Sequence, residues 1–80
     1  MSLIDDLETL LDDLTPTRHD QSVSCKKGVR VATASPHNGL DDQIFLVLEM
    51  DYGPDGKVFC ESTTYRSARG AARKIRGFLN

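Results

Sequence analysis

The side chains that could perform covalent or metal chemistry are few, and they lie far apart in the 80-residue sequence. The cysteines Cys25 and Cys60 and the histidines His19 and His37 are each isolated. Structural zinc sites usually take their ligands in pairs two to four residues apart, and a catalytic thiol needs a cationic neighbour. The sequence therefore predicts a non-enzymatic protein without metal or cofactor. Both cysteines are expected to be small core residues of a protein in a reducing compartment, with a disulfide between them as the alternative.

Neighbouring carboxylates occur three times, as Asp5-Asp6, Asp12-Asp13 and Asp41-Asp42. Adjacent residues on a helix point in different directions, so the first two pairs are expected to be exposed helix acids that share neither a metal nor a proton. The third pair could gather a hard cation weakly. No phosphate-binding or calcium-binding loop is present in the sequence.

Charge is the most distinctive feature of the sequence. The net charge is −2, yet the first twenty residues carry six acids and one base, whereas residues 66–80 carry five bases and no acid. Either the two poles neutralise each other within one molecule, or one of them docks on an oppositely charged macromolecule. The candidate binding residues are Asp5, Glu8, Asp12 and Asp13 on the acidic face and Arg66, Arg69, Arg73, Lys74 and Arg76 on the basic helix.

Two terminal helices are predicted to carry these charges. Leucines and Ile4 recur at three- and four-residue steps until Pro16 ends the first helix. The last helix follows Ser67, whose hydroxyl can cap it, and its apolar residues recur at the same steps. The leucine face favours packing on the protein's own sheet, with a helix-mediated dimer as the alternative.

Three strands are predicted between the helices. A polar connector over Thr17–Gln21 leads into Ser22–Ser35, which reads as one bulged or broken strand or, alternatively, as a short hairpin at Gly28. The strongest strand is Gln43–Tyr52, and the turn at residues 53–56 returns the chain into a third strand over Lys57–Thr64. Between the first two strands, residues 35–42 are expected to form the longest loop, with a turn at Asn38-Gly39.

The predicted fold class is therefore α+β: one domain over residues 1–80 in the order α-β-β-β-α, with both terminal helices packed on a three-stranded antiparallel sheet. The sequence has no apolar run long enough to span a membrane, and its N-terminal residues are acidic. A cytoplasmic location without a membrane partner is therefore expected.

This order of elements resembles the double-stranded-RNA-binding domain. Ser67, Arg69 and Ala71 fall where that family has a serine, a lysine and an alanine, and Pro36-His37 echoes its first loop between strands. The resemblance implies nucleic-acid binding through the basic helix. Because the chain is acidic overall and its first helix is acidic where the family contacts RNA, nucleic-acid binding is the second hypothesis.

The first hypothesis is a protein-binding module. In size, charge and general build the chain resembles small phage-encoded inhibitors such as anti-CRISPR proteins. That resemblance implies docking on a host protein that belongs to a nucleic-acid-handling complex. The expected apolar anchors are Leu40, Tyr52 and Tyr65, because specific binding needs buried anchors as well as charge. The protein is expected to be a monomer or a weak homodimer, and a purely structural, dimerising role is the third hypothesis.

Overall fold

The structure is a computed structural model that describes residues 2–38 and 40–80, without the side chains of Leu40, Asp41 and Lys57. It contains two α-helices and an antiparallel sheet of five strands in the order β1-β2-β3-β4-β5. The elements are α1 (Leu3–Leu10), a short 3-10 helix (Asp12–Leu14), β1 (Thr17–His19), β2 (Ser22–Lys27), β3 (Arg30–His37), β4 (Leu40–Asp51), β5 (Lys57–Tyr65) and α2 (Ala68–Leu79).

The α+β class is confirmed, but the prediction of three strands is wrong, because two tight turns were missed. The segment Ser22–Ser35 is a hairpin rather than one bulged strand, and Gly28 has a φ of 62° in the two-residue loop between β2 and β3. Asp20 has a φ of 57° at the same position of the loop between β1 and β2. A positive φ at the first loop residue lets two antiparallel strands join through only two residues. The predicted connector over Thr17–Gln21 therefore supplies the extra edge strand β1.

The predicted long loop over residues 35–42 is also wrong. Strand β3 continues to His37 and β4 begins at Leu40. Ser35 and Pro36 pair with Phe45 and Ile44, and the register shifts after Pro36. Asn38 has a φ of 52°, as a tight turn requires. Gly39, the other residue of the predicted turn, lies outside the described residues.

Both helices pack on one face of the sheet, which we call the inner face. Alternate residues of β2, β3 and β4 are buried there, because successive side chains of a strand point to opposite faces. Ala32 and Ala34 at the centre are fully buried, and their small size lets the helices approach the sheet closely. The buried residues of the strands are Val23, Cys25, Ala32, Ala34, Ile44, Leu46 and Leu48, and those of the helical segments are Ile4, Leu7, Leu11, Ala68, Ala71, Ala72, Ile75 and Leu79.

Serine hydroxyls cap both helices. The Ser67 Oγ accepts a hydrogen bond from the backbone N–H of Gly70 at 3.1 Å, which confirms the predicted start of α2. The Ser2 Oγ accepts one from the N–H of Asp5 at 3.2 Å. Each bond satisfies a donor that has no partner within the helix.

Strand β5 contains an irregularity that bears on the site. Leu48 pairs with Glu61 and Glu49 pairs with Phe59, so Cys60 is an extra residue of β5 in this ladder. Cys60 is exposed, whereas Cys25 is buried, and both thiols are free. The prediction of a core position is therefore confirmed for Cys25 and wrong for Cys60, since the bulge displaces the latter from the regular alternation.

The five-stranded order also removes the match in topology with the double-stranded-RNA-binding domain, which has three strands between its helices. Pro36 and His37 lie in β3 rather than in a loop. Neither helix of the described residues has the length and apolar content needed to cross a membrane.

Candidate functional site

The acidic face of α1 is largely engaged within the molecule. The Arg18 guanidinium lies 2.8 Å from an Asp5 carboxylate oxygen and 2.9 Å from a Glu8 carboxylate oxygen. Hydrogen bonding from Arg18 lowers the pKa of Asp5 below its ordinary value. The sequence did not reveal this pairing, because Arg18 reaches α1 only through strand β1. Asp12 is exposed.

Two of the five predicted basic residues are also paired. Arg76 makes a two-oxygen contact with Asp13, with one oxygen at 2.6 Å and the other at 3.0 Å, and also donates to the Leu10 carbonyl at 2.7 Å. Hydrogen bonding from Arg76 lowers the pKa of Asp13. Lys74 lies 3.0 Å from Glu61, which raises the pKa of Lys74. Opposite charges of the two terminal segments therefore meet at Arg76 and Asp13.

Three arginines are left on the outer side of α2. Arg66, Arg69 and Arg73 are exposed, and none of them forms an ion pair with a described side chain. Arg69 and Arg73 are one turn apart on α2 and so lie on one side of it, whereas Arg66 precedes the Ser67 cap at the start of the helix. We call these three residues the arginine stripe.

A groove of about 740 Å³ lies between α2 and the inner face of β4 and β5. Its lining residues are Leu48, Met50, Cys60, Glu61 and Tyr65 from the sheet and Gly70, Arg73, Lys74, Gly77 and Phe78 from α2. The floor is apolar, and Arg73, Lys74 and Glu61 supply its charges. Arg73 belongs to both the groove and the arginine stripe, so the two surfaces are continuous.

Exposed apolar side chains lie at the end of the sheet beside this groove, with Val58 opposite Met50 on the inner face and Phe59 opposite Glu49 on the outer face. Val29, Tyr52, Val58 and Phe59 are 40%, 61%, 51% and 60% exposed, and they are four of the five large exposed hydrophobic residues in the described part of the chain. We call these four residues, together with Met50 and Phe78, the apolar end.

Three contacts place the apolar end at one end of the molecule. The backbone N–H of Asp51 donates to the Val29 carbonyl at 2.6 Å, which joins the β2–β3 turn to the end of β4. Val58 pairs with Met50, and the Tyr52 hydroxyl donates to the Met50 sulfur at 3.0 Å. Met50, Tyr52 and Val58 therefore extend the groove floor.

Arg30 of β3 holds the C-terminal end of α2, the helix that forms one side of the groove. Its guanidinium donates to the Phe78 carbonyl at 2.6 Å and lies 5.7 Å from the centre of the Phe78 ring. A cation at the C-terminus of a helix satisfies a free carbonyl and complements the helix dipole. The position of Phe78 is thus set by a residue of β3.

Of the predicted anchors, Tyr52 lies in the apolar end and Tyr65 lines the groove, half-buried against the core. The side chain of Leu40 lies outside the described residues. Sequence reasoning missed Val58 and Phe59. The run Val58-Phe59-Cys60 was the available signal, because an edge strand with consecutive apolar residues must expose some of them.

Among the described side chains, which do not include that of Asp41, no three His, Cys, Asp or Glu groups come close enough to hold a metal ion. Burial raises the pKa of the Cys25 thiol and so favours its neutral, less reactive form.

The chain matches no protein-family model, no curated protein and no solved structure. Its function is therefore inferred from the geometry alone.

Proposed function

We propose that this is a non-enzymatic protein-binding module that docks through the groove and the apolar end. The observation that carries the proposal is that Tyr52 and Val58, each more than half exposed, continue the floor of an apolar groove at the end of the sheet. A contiguous apolar patch at the surface of a small protein is typical of an interaction site, and aromatic residues supply most of the binding energy of such sites.

Charge complementarity indicates the kind of partner. The arginine stripe meets the groove at Arg73, whereas three of the four predicted acidic residues, Asp5, Glu8 and Asp13, are paired with Arg18 or Arg76. A partner that presents an apolar projection flanked by carboxylates would match both features. The basic pole is therefore proposed as the functional one, and the acidic α1 as a structural one.

The first test is affinity capture from the native host with the wild-type protein and the double variant Val58→Thr/Phe59→Thr. Threonine is a β-branched residue that strands favour, and the apolar surface it removes is already half exposed, so folding should be unaffected. We expect one stoichiometric partner with the wild type and an affinity lower by about thirtyfold or more with the variant, since an interface anchor contributes about 2 kcal/mol or more.

Val47→Thr is the matched control. Val47 lies between the buried Leu46 and Leu48 of β4 and therefore points to the outer face, away from the groove, so its replacement removes apolar surface elsewhere in the sheet. This variant should retain the partner. Capture of no stoichiometric partner, or equal capture by the wild type and the double variant, would overturn the proposal.

An inhibitor that docks on a nucleic-acid-handling complex is the narrower form of this proposal. Such complexes expose acidic surfaces as well as basic grooves, and the arginine stripe would suit the former. A cytoplasmic location is proposed with it, since the free thiols of Cys25 and Cys60 suit a reducing compartment.

Nucleic-acid binding is the second candidate, and the arginine stripe is the observation that favours it. Arg66, Arg69 and Arg73 could contact successive phosphates. Electrophoretic mobility shifts with duplex RNA and DNA at low salt would show binding that weakens steeply with salt and is abolished in Arg69→Glu/Arg73→Glu. The control is the charge-reversal variant Lys26→Glu/Lys27→Glu on β2, which changes the net charge by the same amount as Arg69→Glu/Arg73→Glu. If no shift occurs at low salt, this candidate is excluded.

A further inference from the structure

We propose that the partner supplies an extended acidic segment, which pairs with the free edge of β5 as a sixth strand and places its apolar side chains in the groove. This inference rests on the proposed protein-binding function and specifies the mode of docking. It follows from the edge of the sheet, from Gly77 and from the charges beside the groove.

The free edge of β5 is the first observation. In the described sheet β1 and β5 are the edge strands, but β1 has three residues and β5 has nine. An edge strand carries unpaired backbone N–H and C=O groups, which an extended peptide can pair with. Nine residues of strand span about 30 Å, enough for a peptide to bind along them.

The groove lies beside the part of β5 that follows the bulge at Cys60, which is residues 61–65. Glu61 and Tyr65 line it from β5, and their alternate spacing places both on the inner face. An added strand would present every second side chain on that same face. Those side chains would enter the apolar groove beside α2, as is usual when a bound strand gains specificity from pockets for alternate residues.

Gly77 is the second observation. Glycine destabilises a helix by up to about 1 kcal/mol relative to alanine, and Gly77 lies in the last turn of α2. A Cβ placed at Gly77 would meet no atom within 4 Å, so the packing of the protein itself does not require glycine there. Gly77 nevertheless lines the groove. Glycine is typical of positions where the backbone closely approaches a ligand, and the side chains of a bound strand in the groove would supply that contact.

Charge decides between a partner segment and a second copy of the chain. Antiparallel pairing of two β5 edges about a two-fold axis keeps both α2 helices on the same face of the joined sheet. The Arg73 side chains of the two copies would then lie on the same face of the joined sheet, and like charges brought together disfavour association. An acidic segment would instead place its carboxylates near Arg73. The structure therefore favours a partner with alternating acidic and apolar residues.

Selection from a display library of random peptides, about twelve residues long, tests the inference. The immobilised wild-type protein serves as bait, and Gly77→Leu serves as the counter-selection bait. Leucine favours helix over glycine, so Gly77→Leu should fold at least as stably as the wild type while its side chain fills the groove. Gly77→Ala is the matched control that leaves most of the groove open.

We expect the enriched peptides to alternate acidic and apolar residues. A synthetic copy should bind Gly77→Leu and Arg73→Glu about tenfold or more weakly than wild type, and Gly77→Ala with nearly wild-type affinity. Bound peptide should slow amide hydrogen exchange over residues 61–65.

Three outcomes would overturn the inference: peptides that bind Gly77→Leu as well as the wild type, peptides enriched in basic residues, or no enrichment at all. A dimer in light scattering that Gly77→Leu abolishes would assign the edge to a second copy instead. If the partner captured from the host depends on Val58 and Phe59 but binds Gly77→Leu normally, the proposed function stands and this docking mode fails.

Discussion

At the scale of single residues, the two glycines of α2 that line the groove differ in what surrounds them. A Cβ at Gly70 would lie 3.1 Å from the Ser67 hydroxyl and 3.3 Å from the Tyr65 ring, whereas at Gly77 the space is open. We predict that Gly77→Ala raises the free energy of unfolding by about 0.5–1 kcal/mol, because alanine has the higher helix propensity. Gly70→Ala should gain less, since Tyr65 must shift. Urea denaturation followed by circular dichroism measures both, and an equal gain at the two positions would contradict the contacts described.

The aspartates paired with arginine give stability a defined pH dependence. Hydrogen bonds from Arg18 and Arg76 lower the pKa values of Asp5 and Asp13 below the ordinary 3.8. The folded state therefore binds fewer protons than the unfolded state in this range. Their contribution is present above pH 3.8 and is lost as the pH falls through the lower pKa values of the folded state.

We therefore predict that Asp5→Asn/Asp13→Asn has a shallower acid limb than wild type when the free energy of unfolding is measured from about pH 5 to about pH 2. Both carboxylates are exposed, so the difference should shrink in about 1 M salt. Parallel acid limbs for the two proteins would show that neither ion pair forms in solution.

At the scale of elements, the end of α2 depends on β3 through Arg30. We predict that Arg30→Ala lowers the free energy of unfolding by about 1–2 kcal/mol, because it removes a charge-assisted hydrogen bond to the Phe78 carbonyl and a cation–π contact. Amide exchange should accelerate in the last turn of α2 before it does in β3. Arg30→Lys keeps the charge and should lose less. Uniform acceleration throughout the protein would argue against this local role.

The elements that sequence predicted are those whose signal is local. Pro54 and Gly56 mark the β4–β5 turn, and Ser67 marks the start of α2 through a hydroxyl three residues from the amide it caps. The missed strands depend on backbone angles instead. Asp20 has a positive φ although it is not a glycine, and such a conformation is rarely predictable from sequence. Gly28 also has a positive φ, but a glycine at that position is compatible with a bulge as well as with a turn.

The site was predictable only in part, for the same reason. The basic spacing of α2 identified the arginine stripe, but which bases were already paired depended on contacts between distant residues. Arg76 meets Asp13 across 63 positions of sequence, and no periodicity contains that information. The groove and the apolar end depend on the bulge at Cys60 and on the angle of α2, which packing alone sets.

At the scale of the whole molecule, the core and the proposed binding surface are formed by different residues. The total free energy of unfolding of so small a chain is low, so the loss of one core contact is a large fraction of it. A domain of 80 residues buries about 60–65% of its unfolded surface and is stable by roughly 4–12 kcal/mol. Leu7 is 0% exposed in the core cluster, whereas Leu10, one turn further along α1, is 38% exposed. The two leucines therefore offer a matched pair for measuring how much of that stability depends on one core position.

We predict that Leu7→Ala lowers the free energy of unfolding by about 3 kcal/mol and Leu10→Ala by less than about 1 kcal/mol. The Arg76 bond to the Leu10 backbone carbonyl persists in both variants, so side-chain burial alone separates them. Val58→Thr/Phe59→Thr should resemble Leu10→Ala, since the apolar end contributes surface rather than core. Urea titrations at constant m-value measure all three. If Val58→Thr/Phe59→Thr instead destabilised the fold as strongly as Leu7→Ala, Val58 and Phe59 would be structural residues. Their exposed apolar side chains would then no longer be evidence for a binding partner.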